Sequence, residues 1–278
     1  MKKIKKMKQL YFQSSLPRAG STLLQNIVAQ NPDFYCTPTS GVIEFIASAR
    51  TLYSQNAEFL AQDPKEMEKA FKGFCAQGMQ GYFSALTDKP CVLDKSRGWG
   101  YQYRFLDSFY PNPKIVCMVR DPRDIYASLE KAYRRNPHKD PGLVNFAEMK
   151  NTTVEKRIDS WSQGLLVGLS FERIYEIIKN GTDKHIHFIK YETFTRQPEK
   201  EMRKLYKYFE LPYFKHDFDN IQQLTYENDV MHGIFGDHQI KTGKIIPSKS
   251  EAKEILGNHG ANWVKEQYGW FYDYFKYT

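Results

Sequence analysis

Nowhere does this 278-residue chain run for about 18 uninterrupted apolar residues, the length a membrane-spanning helix needs, so no span is expected. The lysines at the amino end (Lys2, Lys3, Lys5, Lys6, Lys8) are not followed by the apolar region of a secretory signal. These absences lead to the expectation of a soluble, cytoplasmic protein with no membrane partner. Cysteine is scarce and never paired as C-x-x-C: Cys36, Cys75, Cys91 and Cys117 stand apart. Cys91 and Cys117 fall in apolar runs, where a reduced, buried thiol is the usual state, so no disulfide is expected. The seven histidines form no ligand cluster. His185 and His187 share a strand face without a third ligand, so no metal is expected. Repeats, low-complexity blocks and a clear interdomain linker are all missing. Residues 1–8 read as a basic tail and 9–278 as one domain. The formal net charge of +8 would suit nucleic acid, but five of those charges are the tail lysines. No nucleic-acid partner is expected.

The most informative stretch is Ser15-Leu16-Pro17-Arg18-Ala19-Gly20-Ser21-Thr22-Leu23-Leu24. It follows a short apolar strand and enters an amphipathic helix. A Gly turn at a helix N-terminus points free N–H groups, and the positive end of the helix dipole, at an anion. Arg18 adds a cationic fork; Ser21 and Thr22 add hydroxyls. The same residues also fit a plain turn with Ser or Thr capping a helix. A Walker A loop is disfavoured, because no Lys follows Gly20 and Ser15 stands where the first Gly belongs.

A second stretch decides between these readings. Ile115–Val119 reads as a buried parallel strand, Arg120 stands at its carboxyl end, and Asp121-Pro122 opens a helix that carries Ser128. An Arg at that point meets ligands in open α/β sheets. It would otherwise pair with Asp124.

Together the stretches resemble one family. Leu16–Thr22 is similar to the loop that holds the 5′-phosphosulfate in sulfotransferases that use 3′-phosphoadenosine-5′-phosphosulfate (PAPS). Arg120 with Ser128 resembles that family's 3′-phosphate site. A third stretch, Phe188-Ile189-Lys190-Tyr191-Glu192 with Gln197-Pro198-Glu199, resembles its strand ending in Tyr-Glu, followed by a Pro-headed helix. The resemblance spans roughly residues 9–245. It implies a single-domain, three-layer α/β fold around a parallel sheet, of P-loop NTPase-like architecture. It implies PAPS as donor, its product PAP, no metal, and an acceptor hydroxyl or amine that the sequence does not identify.

Carried over residue by residue, the donor site is Pro17, Arg18, Ala19, Gly20, Ser21, Thr22, Arg120, Ser128 and Tyr191. Lys241 joins it from a late Gly-bearing loop, unless it is a solvated loop lysine. Tyr191 offers a ring face and a hydroxyl, or else fills the core. Arg18 and Lys95 are the candidate catalytic cations. Asp94-Lys95-Ser96 resembles the stretch that carries a catalytic Lys in tyrosylprotein-type enzymes; the alternative is a surface lysine paired with Asp94. The base departs from the family. Tyrosylprotein-type enzymes have a Glu shortly after the first helix, and Cys36–Gly41 here contains no carboxylate. Glu44 is the nearest candidate, unless it merely complements a helix dipole. The alternatives are a kinase-like phosphotransferase and a phosphoadenosine-binding protein that has lost its base.

Periodicity predicts strands at 9–14, 34–37, 91–93, 115–119 and 185–190. It predicts helices at 21–30, 41–54, 64–87, 100–110, 122 onward, 150–179, 198–209, 250–257 and 260–275. Residues 136–149 read as a loop.

Overall fold

A computed structural model describes residues 7–135, 152–164, 166–231, 236–240 and 243–278. Five parallel strands form the sheet: β1 (Gln9–Gln13), β2 (Phe34–Thr39), β3 (Cys91–Lys95), β4 (Lys114–Val119) and β5 (Ile186–Lys190). Their order is β2-β3-β1-β4-β5. All four pairings are parallel, with Gln13 beside both Lys95 and Val116. A parallel sheet is covered on both faces, and its strands read as near-continuous apolar runs, as β1 and β4 do here. This is the α/β architecture expected.

The helices between the strands are α1 (Ser21–Val28), α2 (Val42–Gln55), α3 (Ala57–Leu60), α4 (Pro64–Leu86), α5 (Tyr103–Asp107) and α6 (Pro122–Arg135). After them come α7 (Val154–Gln163), α8 (Gly168–Lys179), α9 (Tyr191–Arg196), α10 (Pro198–Tyr208), α11 (Ala252–Gln267) and α12 (Gly269–Phe275). The sheet is fixed by large rings on both sides. Phe12 packs 4.6 Å from Trp99, and Tyr11 packs 4.2 Å from Phe209. Such pairs contribute about 0.5–1.5 kcal/mol beyond area burial, and truncating Phe12 to Ala would cost about 3–5 kcal/mol. This matters for function because β1 delivers the anion loop. All four cysteines are buried and free.

Several boundaries differ from expectation for local reasons. The single helix expected at 150–179 is two helices, α7 and α8. At Gly168 a Cβ would sit 2.0 Å from the Ser162 carbonyl oxygen, an approach that only Gly permits and that a continuous helix does not make. Tyr191-Glu192 does not end β5 but opens α9. The last helices break at other places than expected. Gly257 (φ 72°) kinks α11, which runs on to Gln267 before α12 begins. The expected helix at 100–110 shortens to Tyr103–Asp107. Lys8, read as tail, is buried: its N–H donates to Gln80 Oε1 at 2.9 Å, and its Nζ donates to the Lys89 carbonyl at 2.8 Å. The loop expected at 136–149 lies outside the described residues. Among the described residues no helix is long and apolar enough to cross a membrane.

Candidate active site

The carboxyl ends of β1, β3 and β4 converge on a cavity of about 380 Å³. Ligands bind at this edge of open parallel sheets, where loops rather than side-chain-filled strands face the crevice. The loop after β1 is held rigidly. Ser14 N–H donates to the Val116 carbonyl (2.8 Å) and Leu16 N–H to the Met118 carbonyl (3.0 Å). Ser15 Oγ accepts from Met118 N–H at 3.2 Å. Gln13 Nε2 ties the loop's two ends, donating to Ser15 Oγ (3.1 Å) and to the Ser21 carbonyl (3.2 Å). Two residues then take positive φ, Arg18 at 58° and Gly20 at 84°. A non-Gly residue in that region is uncommon and is held there by its surroundings. At Gly20 a Cβ would meet the Tyr191 ring at 2.6 Å. Gly20 is also the N-cap of α1, and no side chain caps that helix. The capped-turn alternative therefore falls, and the first N–H groups of α1 face the cavity mouth.

Arg18 does not point where a simple loop cation would. Its left-handed backbone turns the side chain toward α6, where Nε donates to Ser128 Oγ at 3.0 Å. Its NH2 pairs with Asp237 at 2.9 Å. Arg120 donates from NH1 to the Arg18 carbonyl (2.9 Å) and lies over the Tyr191 ring at 4.7 Å. Its Nε is buried and makes no hydrogen bond. The Asp124 alternative does not hold: Asp124 accepts instead from Ser250 Oγ at 2.7 Å. Asp121 caps α6 through Arg123 N–H at 2.9 Å. Glu192, beside Tyr191, accepts from Asp121 N–H and from the Tyr277 hydroxyl, each at 2.9 Å. The third stretch thus fixes the turn that carries Arg120.

Lys95 ends β3 and is buried. Its N–H donates to Thr37 Oγ1 at 2.9 Å. Asp94 points the other way, accepting from Trp99 Nε1 (2.7 Å) and Thr37 Oγ1 (3.2 Å). Burial pushes Asp94 up to about 6 against those hydrogen bonds. Lys95 therefore does not pair with Asp94. It pairs with Glu227 at 3.1 Å, and both side chains are largely buried. Desolvation lowers the Lys95 pKa, opposed by Glu227. Glu227 is held well below the usual carboxylate range: burial would raise it, but Lys95, Thr39 and His238 outweigh that.

Beside this pair lies a group that the sequence reading did not find. His238 Nδ1 is 2.6 Å from Asp229 Oδ1, and Nε2 is 3.9 Å from Glu227 Oε1. His238 N–H also donates to both Asp229 oxygens at 3.2 Å. Desolvation lowers the His238 pKa, against the opposing pull of Asp229 and Glu227. The residue lines the cavity, as do Pro17, Arg18, Gly20, Ser21, Thr22, Lys95, Arg120, Ser128 and Tyr191. Ala19 is buried within the loop. Glu44 stands in the first turn of α2 with an exposed side chain, and it is not among the residues lining the cavity. Lys241 lies outside the described residues. Among the described residues no group of three or more His, Cys, Asp or Glu side chains is placed to hold a metal ion.

Residues 12–215 match the model of the sulfotransferase family. The chain belongs to that family. Among its curated relatives, the nodulation protein NoeE of Sinorhizobium fredii is 22% identical over 86% of this sulfotransferase chain and 58% of its own length. Protein-tyrosine sulfotransferase 1 of Danio rerio is 23% identical over 73% of this chain and 54% of its own. The chain thus spans somewhat more than half the length of these relatives. A solved sulfotransferase domain from the curacin biosynthetic pathway shares the fold, with a TM-score of 0.54 at 16% identity, covering 95% of this chain and 98% of that one.

Proposed function

We propose that this chain transfers a sulfuryl group from PAPS to a hydroxyl or amine acceptor. The observation that carries the reading is one cavity lined by two separate anion grips and a buried lysine. The loop 17–22 with the α1 terminus suits the 5′-phosphosulfate. Arg120 and Ser128 suit the 3′-phosphate, and Arg18, which bonds Ser128, bridges the two. The buried, unbonded Nε of Arg120 is the donor that a phosphate oxygen would satisfy. Tyr191, which already stacks on Arg120, closes this side.

In the reaction the bond from sulfur to the bridging 5′-phosphate oxygen breaks, and a bond from sulfur to the acceptor oxygen or nitrogen forms. The electron pair leaves with PAP. Charge grows on the bridging and equatorial oxygens, so fixed cations and N–H groups supply most of the catalysis. Lys95, freed from Glu227 by the incoming anion, suits the sulfuryl oxygens. The acceptor proton needs a base. His238 suits that role better than Glu44, because it lines the cavity beside the Lys95–Glu227 pair and its Nδ1 is engaged by Asp229. That hydrogen bond leaves Nε2 to take the proton.

Calorimetry with PAP, PAPS and ATP tests the reading. Preference for the 3′-phosphorylated nucleotides, lost in Arg120→Ala and Ser128→Ala, is expected. Equal or tighter binding of ATP, with turnover dependent on Mg²⁺, would replace it with a kinase-like phosphotransferase.

A further inference from the structure

The donor-side cations already hold carboxylates: Arg18 pairs with Asp237, and Lys95 with Glu227. Arg97 does not. Arg97 stands two residues beyond Lys95, where β3 has passed into the cavity wall, and lines the cavity with Lys95 and Ser96. Among the described residues its guanidinium makes no ion pair and no side-chain hydrogen bond. Its surface is open to water. Yet enough protein crowds round it that desolvation brings its pKa down to about 10, against the opposing charge of Glu227. Arg173 of α8 is close enough for its charge to disfavour that of Arg97, and it too forms no ion pair among the described residues. Leu166, just before α8, lines the same cavity. The opposing charge that reaches Arg97 is Glu227, whose carboxylate is already held by Lys95, so an anion that enters the cavity beside Arg97 meets a cation with no ion pair of its own.

We infer that Arg97 selects an acceptor that carries an anionic group, a carboxylate or a phosphate, close to the hydroxyl or amine to be sulfated. The planar fork of Arg97 would hold that group in two parallel hydrogen bonds, with the nucleophile turned toward Lys95 and His238. Specificity follows because a neutral acceptor leaves the cavity-lining fork of Arg97 without an anion. This assignment rests on the proposed donor site, which fixes the end of the cavity left for the acceptor.

The test measures binding to PAP-saturated protein of three matched phenols: 4-hydroxyphenylacetate, 4-hydroxybenzylphosphonate and the neutral 4-hydroxyphenylacetamide. At least one anion is expected to bind about ten-fold or more tightly than the amide. The stronger of the two tells carboxylate from phosphate. The preference should shrink to within about three-fold in Arg97→Gln and be partly kept in Arg97→Lys. PAP affinity of each variant, measured first, reports that the fold and donor site are intact. Equal affinities of all three probes for the wild type would overturn the inference, as would a preference that survives Arg97→Gln, or no binding of any probe at its solubility limit. Loss of PAPS affinity relative to PAP in Arg97→Gln would overturn it too, by placing Arg97 on the donor sulfuryl. If PAP itself fails to bind, the donor reading falls. The same three titrations on the free protein then still show whether an Arg97-dependent anion preference exists.

Discussion

The two ends of the cavity treat their cations differently. At the donor end Arg18 and Lys95 are paired with Asp237 and Glu227, carboxylates that come from one late stretch of chain. Arg97 and Arg173 form no ion pair among the described residues, although the charge of Glu227 reaches Arg97. A buried cation without a counter-charge is costly, so a site that must wait for a polyanionic donor gains from holding an internal stand-in. Arg97 has an exposed surface, yet the protein crowded round it lowers its pKa, so the lack of an ion pair costs its charge something. On the proposed reading the donor displaces carboxylates, whereas an anionic acceptor meets a cation that no ion pair holds.

The sharpest way to break this comparison is to remove the lysine. Lys95→Met is expected to lower kcat about 1,000-fold while PAP affinity moves little, since PAP lacks the sulfuryl group proposed to meet Lys95; rapid-quench turnover beside calorimetry reads both. His238→Asn should lower kcat about 100-fold. In the wild type the rate should fall as pH drops through a pKa below 6.5, because desolvation favours the neutral ring and only that form accepts a proton. Asp229 stabilises the imidazolium, so Asp229→Asn should move this limb to still lower pH and cost about ten-fold in kcat. Arg120→Ala should weaken PAP binding about 30- to 100-fold by leaving the 3′-phosphate without its fork. The smallest effect sharpens the comparison most directly. Asp237→Asn should tighten PAP binding a few-fold, because the carboxylate that competes for Arg18 is gone; tighter binding on calorimetry supports the displacement picture, and weaker binding refutes it.

What the sequence disclosed follows from how local each feature is. The anion loop, the end of β4 and the Asp121-Pro122 helix start are contiguous, so apolar runs and turn residues announce them. Lys95 was legible as the residue ending an apolar strand. Glu227, Asp229 and His238 were not. They lie in a stretch with no periodic pattern, and they reach Lys95 across more than 130 positions of chain, a closure that only the completed fold enforces. The short spacing of Glu, Asp and His in that stretch was the one available signal, and without a strand or helix to orient it the signal names no face. Glu44 misled for the converse reason. It is near in sequence to the expected place, but the first turn of α2 leaves its side chain in solvent. The turn of Arg18 toward Ser128 was likewise invisible, since it depends on a left-handed backbone at a residue that rarely adopts one.

The close approach of Gly20 to the Tyr191 ring couples parts of the gene that lie far apart. A side chain at 20 would meet the ring and, at φ 84°, would be strained even beside a smaller one, while a smaller ring leaves Arg120 without its platform. Altering the preferred donor by directed evolution is therefore a problem of simultaneous substitutions, and libraries that vary the loop alone will return mostly poorly folded or inactive clones. Libraries that hold Gly20 and Arg120 constant and vary 191 together with the rest of the loop are the economical route to a chain with a different nucleotide preference.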